Sequence, residues 1–234
     1  MITISNSQLF KPELILKYIK QNGNELKLKK NEFIYHSGDP TEHIYVIETG
    51  EVFVLRMQDD GSENAIHYLK EDCLFGALTL FCGPKRHSTF AKSKTEVCLY
   101  RIERSIFEQK ILSDNSYTIE WMRWLEIERQ RHSSKLRDLL SYGKLGALAS
   151  VLVRLSNSFG VETKSGIVID TKLTNQELAM LASTSREVVN RYLKELTKEG
   201  VIDVNRKIIT IKDIKRLRKI INCENCDINL CQIH

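Results

Sequence analysis

The sequence predicts an α+β chain in three parts: a roll of short antiparallel strands, one long helix, and a small C-terminal domain of the helix-turn-helix kind with strands behind it. Three observations predict it. Short apolar runs punctuated by turn residues come first, a stretch free of Pro and Gly follows, and two helix-start signals then stand ten residues apart. At 234 residues the chain is long enough for more than one core.

The roll runs from about Leu26 to Glu103. In "HIYVIETGEVFVLRMQDDG" β-branched and aromatic residues alternate with polar ones at period two, and Gly38, Gly50 and Gly61 fall where tight turns need positive φ. The long helix covers "DNSYTIEWMRWLEIERQRHSSKLRDLL", about 27 residues and so a rod of roughly 40 Å. Trp121, Trp124, Leu125, Leu136 and Leu139 form a broken apolar stripe on it. Pairing with the same helix of a second copy would cover that stripe, and packing on its own roll is the alternative. Gly143 marks a hinge.

Beyond the hinge, "KLGALASVLVRLSNSFG" places Leu145, Leu148, Leu152 and Leu155 on one helical face and stops at Gly160. Two capping boxes follow, Thr174 with Glu177 and Thr184 with Glu187. Each would start a helix, the first very short, and the apolar strands "VIDV" and "IITI" then complete a winged helix-turn-helix. The expected organisation is residues 1–113 roll, 114–142 long helix, 143–221 winged helix-turn-helix and 222–234 cysteine-rich tail.

Charge supports a division of labour. The formal net charge is +5, and residues 143–234 carry all of the excess, with 15 Lys and Arg against 10 Asp and Glu. That part is the candidate for an anionic partner. No run approaches the roughly 20 apolar residues that cross a bilayer, and the first residues lack a secretion signal, so the cytoplasm is the expected compartment and no membrane partner is expected. No phosphate loop, nucleophile elbow or H-E-x-x-H occurs, and the six histidines form no local ligand pair, so enzymatic activity is not expected.

Six cysteines in a reducing compartment read as metal ligands or buried thiols. Cys73, Cys82 and Cys98 stand singly in apolar contexts and are expected to be buried. Cys223, Cys226 and Cys231 differ, being three thiols within nine residues of a polar tail that has little to pack into a core. Soft thiolates so crowded call for a metal. With His234 the tail reads C-x2-C-x4-C-x2-H, a sound zinc spacing; an iron-sulfur cluster with a fourth ligand from elsewhere also suits it.

The roll with "HSGDPTEHIYVIETGEVFVL", the long helix, and "LTNQELAMLASTSREVVNRYLKELTKEGVI" resemble the CRP/FNR family of bacterial transcription regulators over almost the whole chain. On "KLRDLLSYGKLGALASVLVRLSNSFGVE" and the C-x2-C-x4-C tail the likeness is to the Bacillus-type FNR proteins. The resemblance implies a cyclic-nucleotide-binding-like roll, a homodimer, a palindromic promoter site in double-stranded DNA and contact with RNA polymerase. It further implies a 4Fe-4S cluster on Cys223, Cys226 and Cys231 with Asp138 as fourth ligand, making the chain an oxygen-responsive regulator of anaerobic genes. Two alternatives stay open: a regulator whose tail is a structural zinc clip of the three thiols and His234, and an Asp138 that is an ordinary exposed helix residue.

The same resemblance places base contacts at Arg186, Glu187 and Arg191, with Asn190 a fourth. The chemistry agrees, since an Arg fork suits guanine, Glu accepts from cytosine, and residues 187 and 191 lie one helical turn apart; a palindrome like TGTGA-N6-TCACA is expected. Glu187 has a competing role as a capping residue. Where cyclic-AMP binders carry a Glu for the ribose and an Arg for the phosphate, this chain has Ala77 and His87, so no cyclic nucleotide is expected, although Arg86 next door could reach in by a register shift. Ser183 stands at the inter-helix turn, where a positive φ is expected.

Overall fold

Helix α1 (Glu13–Asn22) precedes eight strands: β1 (Asn24–Leu28), β2 (Phe33–Tyr35), β3 (His43–Thr49), β4 (Val52–Met57), β5 (Glu63–Leu69), β6 (Leu74–Gly76), β7 (Phe90–Ser93) and β8 (Val97–Glu103). Then come α2 (Arg104–Ser113), α3 (Asn115–Ser141) and α4 (Gly143–Phe159). The chain finishes with β9 (Gly160–Thr163), β10 (Gly166–Ile169), α5 (Asn175–Leu181), α6 (Arg186–Lys198), β11 (Ile202–Asn205), β12 (Ile208–Ile211) and α7 (Ile214–Ile220). This computed structural model describes residues 10–81 and 86–234. It divides into two compact units, residues 10–126 and residues 127–233.

In the first unit two four-stranded antiparallel sheets, ordered β1-β8-β3-β6 and β2-β7-β4-β5, face each other as a roll. The period-two signal is real, but β3 is buried on both faces. Ile44 and Val46 point to a core shared with α1, α2 and the start of α3, whereas Tyr45 and Ile47 point between the sheets. Gly50 joins β3 to β4 at φ 97°, and a Cβ there would come within 2.4 Å of the Glu96 carbonyl oxygen. Trp121 and Trp124 stack at 4.9 Å and join the core against α1 and α2, so this part of the long-helix stripe is covered by the roll itself. Ile119, Met122, Leu125, Leu136 and Leu140 of α3 remain exposed in the single chain.

The single thiols depart from expectation. Cys73 and Cys98 are half-buried rather than buried, and Cys98 donates to Glu25 Oε1 at 3.1 Å. Cys73 lies in the turn before β6 and Cys98 on β8, and both are partly open to solvent. Cys82 lies outside the described residues.

In the second unit α4 buries the expected leucine face at Leu148, Leu152 and Leu155, and its burial extends around the helix. Every residue from Gly146 to Ser156 is buried, as befits a helix packed against α5, α6, α7 and the β9–β10 hairpin. Gly143 has φ 61° between α3 and α4, the left-handed geometry a sharp change of direction requires. The wing sheet has four strands, β11-β12-β10-β9; the first hairpin, 160–169, adds to the two strands expected from the sequence.

Candidate functional site

Two candidate sites lie in the second unit, the surface of α6 and the tail. Thr174 opens α5 with a capping box, its hydroxyl accepting from the Glu177 N–H while the Glu177 carboxylate accepts from the Thr174 N–H at 2.6 Å. The second box is displaced by one residue. Ser185, not Thr184, caps α6 by accepting from the Val188 N–H, because Ser185 stands three residues before that amide. The Thr184 hydroxyl is buried without a hydrogen-bond partner. Ser183 takes φ 48° at the turn, as expected.

Val189, Leu193 and Leu196 anchor α6 inward, and Arg186, Glu187 and Arg191 are exposed on its other side. Released from the box position, the Glu187 carboxyl is held below its usual range by its own backbone N–H and the Ser185 hydroxyl. Arg191 lies over the Tyr192 ring at 4.7 Å and 4.0 Å from Glu195 Oε1. Asn190 is half-buried and its Oδ1 accepts from Asn175 Nδ2, which leaves its own amide N–H free to turn outward. At the tip of the wing, exposed Arg206 and Lys207 both have positive φ, 47° and 69°. Sequence reasoning missed this pair; "NRK" between two apolar strands was the available signal.

The tail begins where α7 ends. Asn222 adopts φ 43° and its N–H bonds the Lys219 carbonyl, while the Cys223 N–H bonds the Arg218 carbonyl at 2.9 Å. This is a Schellman closure with Asn in the left-handed position, and it places the first thiol directly after the helix. Asn225, at φ 52°, turns the chain before Cys226. Contrary to the expectation of a tail with little to pack, Cys231, Gln232 and Ile233 are buried. Ile233 supplies the apolar anchor that the local composition understates.

Asp138 is buried at the end of α3 rather than exposed. Its Oδ2 accepts from Ser150 Oγ at 2.7 Å and Arg154 Nη2 at 2.9 Å; its Oδ1 accepts from Arg137 Nη2 at 2.9 Å. Burial opposes its charge, but these donors outweigh it and hold the carboxyl below its ordinary range. Arg137 also pairs with Glu224, between the first two tail cysteines. Burial pushes the Cys231 thiol up to about 11; Arg154 counters this, while Cys226, Cys223 and Asp138 reinforce it. The three thiols and the carboxylate thus share one electrostatic neighbourhood within the second unit. They do not form a set of ligand atoms all within 4.8 Å of one another, and His234 is half-buried at the chain end.

In the roll, Ala77 belongs to the core and His87 stacks on Tyr35 with ring centres 3.9 Å apart. Burial lowers the His87 pKa, so the ring is neutral near neutral pH. Arg86 donates to the Gly38 carbonyl at 2.7 Å.

Comparison with known proteins now bears on both sites. Residues 25–114 match the model of the cyclic nucleotide-binding domain, and residues 146–220 that of the Crp-like helix-turn-helix domain. The chain is 35% identical over 231 residues to the anaerobic regulatory protein of Bacillus subtilis strain 168, covering 98% of this chain and 96% of that one. The chain belongs to the CRP/FNR family. It is therefore a DNA-binding transcription regulator and not an enzyme. Among more distant members, the cAMP-activated global regulator CRP of Salmonella typhimurium is 27% identical over 186 residues, 79% of this chain and 88% of that one. The fold is that of FixK2 from Bradyrhizobium japonicum, with a TM-score of 0.74 at 18% identity over 85% of this chain and 96% of that one. No helix among the described residues is long and apolar enough to cross a membrane.

Proposed function

We propose that this CRP/FNR-family chain is an oxygen-responsive regulator of anaerobic genes that acts as a homodimer on a TGTGA-N6-TCACA-like promoter palindrome and engages RNA polymerase there. One observation carries the reading: Cys231 is buried in the neighbourhood of Asp138, Cys226 and Cys223, where the tail meets the end of α3 and the middle of α4. Likeness to the Bacillus subtilis anaerobic regulator over 98% of the chain supports the biological assignment.

The donor set suits an iron-sulfur cluster. Three soft thiolates and one harder carboxylate are the ligand types iron takes, and Cys223, Cys226, Cys231 and Asp138 would hold it. Asp138 would have to exchange at least one of the hydrogen bonds that now occupy both its oxygens. When bound, a 4Fe-4S cluster supplies an oxygen-labile centre. The protein's own part is mechanical: the tail fastens the end of α3 to α4, and α4 supports α5 and α6. Loosening the tail therefore alters how the reading helix is held. On α6, Arg186, Glu187, Asn190 and Arg191 address base edges, and Arg206 and Lys207 at the wing tip address phosphates. The roll carries Ala77 and His87 where a cyclic nucleotide would need a carboxylate and a guanidinium, so in this reading it takes no nucleotide.

Full-length protein prepared without air should contain iron and acid-labile sulfide. Its broad visible band should bleach in air in step with loss of palindrome binding. Serine at any one of the three tail cysteines should remove both properties. One zinc per chain, no iron and air-indifferent DNA binding would instead make the tail a structural clip with His234.

A further inference from the structure

The last residues are held by side chains rather than by secondary structure. Four consecutive carbonyls accept in turn: Asn229 from Arg131 Nε at 2.5 Å, Leu230 from Arg154 Nη1 at 3.0 Å, Cys231 from Asn157 Nδ2 at 2.9 Å and Gln232 from Arg154 Nη1 at 3.4 Å. Ser158 completes the seat, donating to Gln232 Oε1 at 2.6 Å and accepting from the Ile233 N–H at 3.1 Å. A short irregular segment whose main chain is satisfied this way has a defined path without any ladder.

Arg154 is the centre of this arrangement. It is 1% exposed, in the buried middle of α4 between Val153 and Leu155. All five of its N–H donors are used: Nε on Ser150 Oγ at 3.2 Å, Nη1 on the Leu230 and Gln232 carbonyls, and Nη2 on Ser134 Oγ and Asp138 Oδ2, both at 2.9 Å. A planar five-donor fork can join five acceptors from α3, α4 and the tail at once; a lysine, with three donors on one nitrogen, cannot. None of these donors touches a sulfur, so nothing in the seat depends on a metal.

We infer that Arg154, with Arg131 and Asn157, is a main-chain clamp that seats residues 229–232 before any metal arrives, and so positions Cys231 beside Asp138 while Cys223 and Cys226 stay more accessible. Arg154, Arg131 and Asn157 are positioning residues, and their use rests on the reading of the tail thiols as ligands. The seating itself stands without that reading.

The test uses full-length, reduced, metal-free protein and follows alkylation of each cysteine by iodoacetamide with peptide mass spectrometry, alongside hydrogen exchange over residues 227–234. In the wild type, Cys231 should react about tenfold or more slowly than Cys223 and Cys226, as a hydrogen-bonded buried segment opens rarely. Asn157→Asp keeps the shape but removes the donor; it should speed Cys231 alkylation and tail exchange about tenfold while Cys73 in the roll is unchanged. Arg154→Lys keeps the charge but not the fork and should do the same. If Arg154→Lys also exposes Cys73, it has unfolded the chain and Asn157→Asp decides. A Cys231 that reacts as fast as its tail neighbours in the wild type, or that neither substitution accelerates, overturns the clamp. Iron content and air sensitivity do not enter this experiment, so failure of the cluster reading would be seen separately.

Discussion

Arg191 is exposed on α6 and its ion pair with Glu195, at 4.0 Å, is a surface contact of the kind that contributes little to folding. Its removal should therefore be read on DNA and not in stability. Arg191→Ala should weaken binding of the palindrome by about 1 to 3 kcal/mol and relax discrimination at one G·C pair per half-site, measured by fluorescence anisotropy against single-base variants. Loss of affinity that is uniform across variants would make Arg191 a phosphate contact. The displaced cap gives a second residue-scale outcome. Ser185→Ala should cost about 0.5 to 1 kcal/mol in urea unfolding, whereas Thr184→Val, which removes a buried hydroxyl without a partner, should be neutral or stabilising. The reverse order would restore Thr184 as the cap.

At the scale of elements, what the sequence made legible is what periodicity encodes. The roll, α3 and the short-then-longer helix pair stand where the alternation, the absence of breakers and the capping residues put them, save that α6 is capped one residue later, at Ser185. Partners distant in sequence were not legible. Arg154 showed only as one charge inside "ASVLVRLSN"; its acceptors lie 16 residues earlier at Asp138 and 76 residues later at Leu230. Likewise nothing in the stripe of α3 told Trp121 and Trp124, which the roll covers, from Leu125 and Leu136, which are exposed. Their different surroundings predict different outcomes. Trp121→Ala, a deletion in a core where the ring meets Phe107 edge-on at 5.5 Å, should cost about 3 to 5 kcal/mol. The junction of α1 with the roll adds a pH effect. Burial works against charge on Asp72, but Lys11 at 2.8 Å and Lys20 at 2.9 Å outweigh it and keep its carboxyl below the ordinary range. A depressed folded pKa contributes stability above the unfolded value of about 3.9 and loses it as pH falls through the folded value. Acid unfolding of Asp72→Asn should accordingly show a shallower loss of stability below about pH 4 than the wild type; identical acid limbs would mean that the ion pairs do not act.

The whole molecule must account for the apolar side chains that a single chain leaves in water along α3, among them Met122 at 64% and Leu140 at 76% exposure. Scattered apolar residues on a surface need no explanation, but a row on one 27-residue helix does, and in the proposed homodimer a second copy presenting the same row would cover both. An isologous pairing through α3 would also give two α6 helices the two-fold relation that a palindrome requires. Met122→Glu and Leu140→Glu lie on this row and away from the cores, so each protomer should stay folded while like charges meet across the two-fold. In sedimentation velocity the double variant should run at the mass of one chain where the wild type runs at two. With the half-sites no longer joined, affinity for the full palindrome should fall about a hundredfold or more, and affinity for an isolated half-site should hardly change. A wild type that sediments as a single chain at micromolar concentration, or a double variant that still sediments as two, would break the link between this helix face and the palindrome.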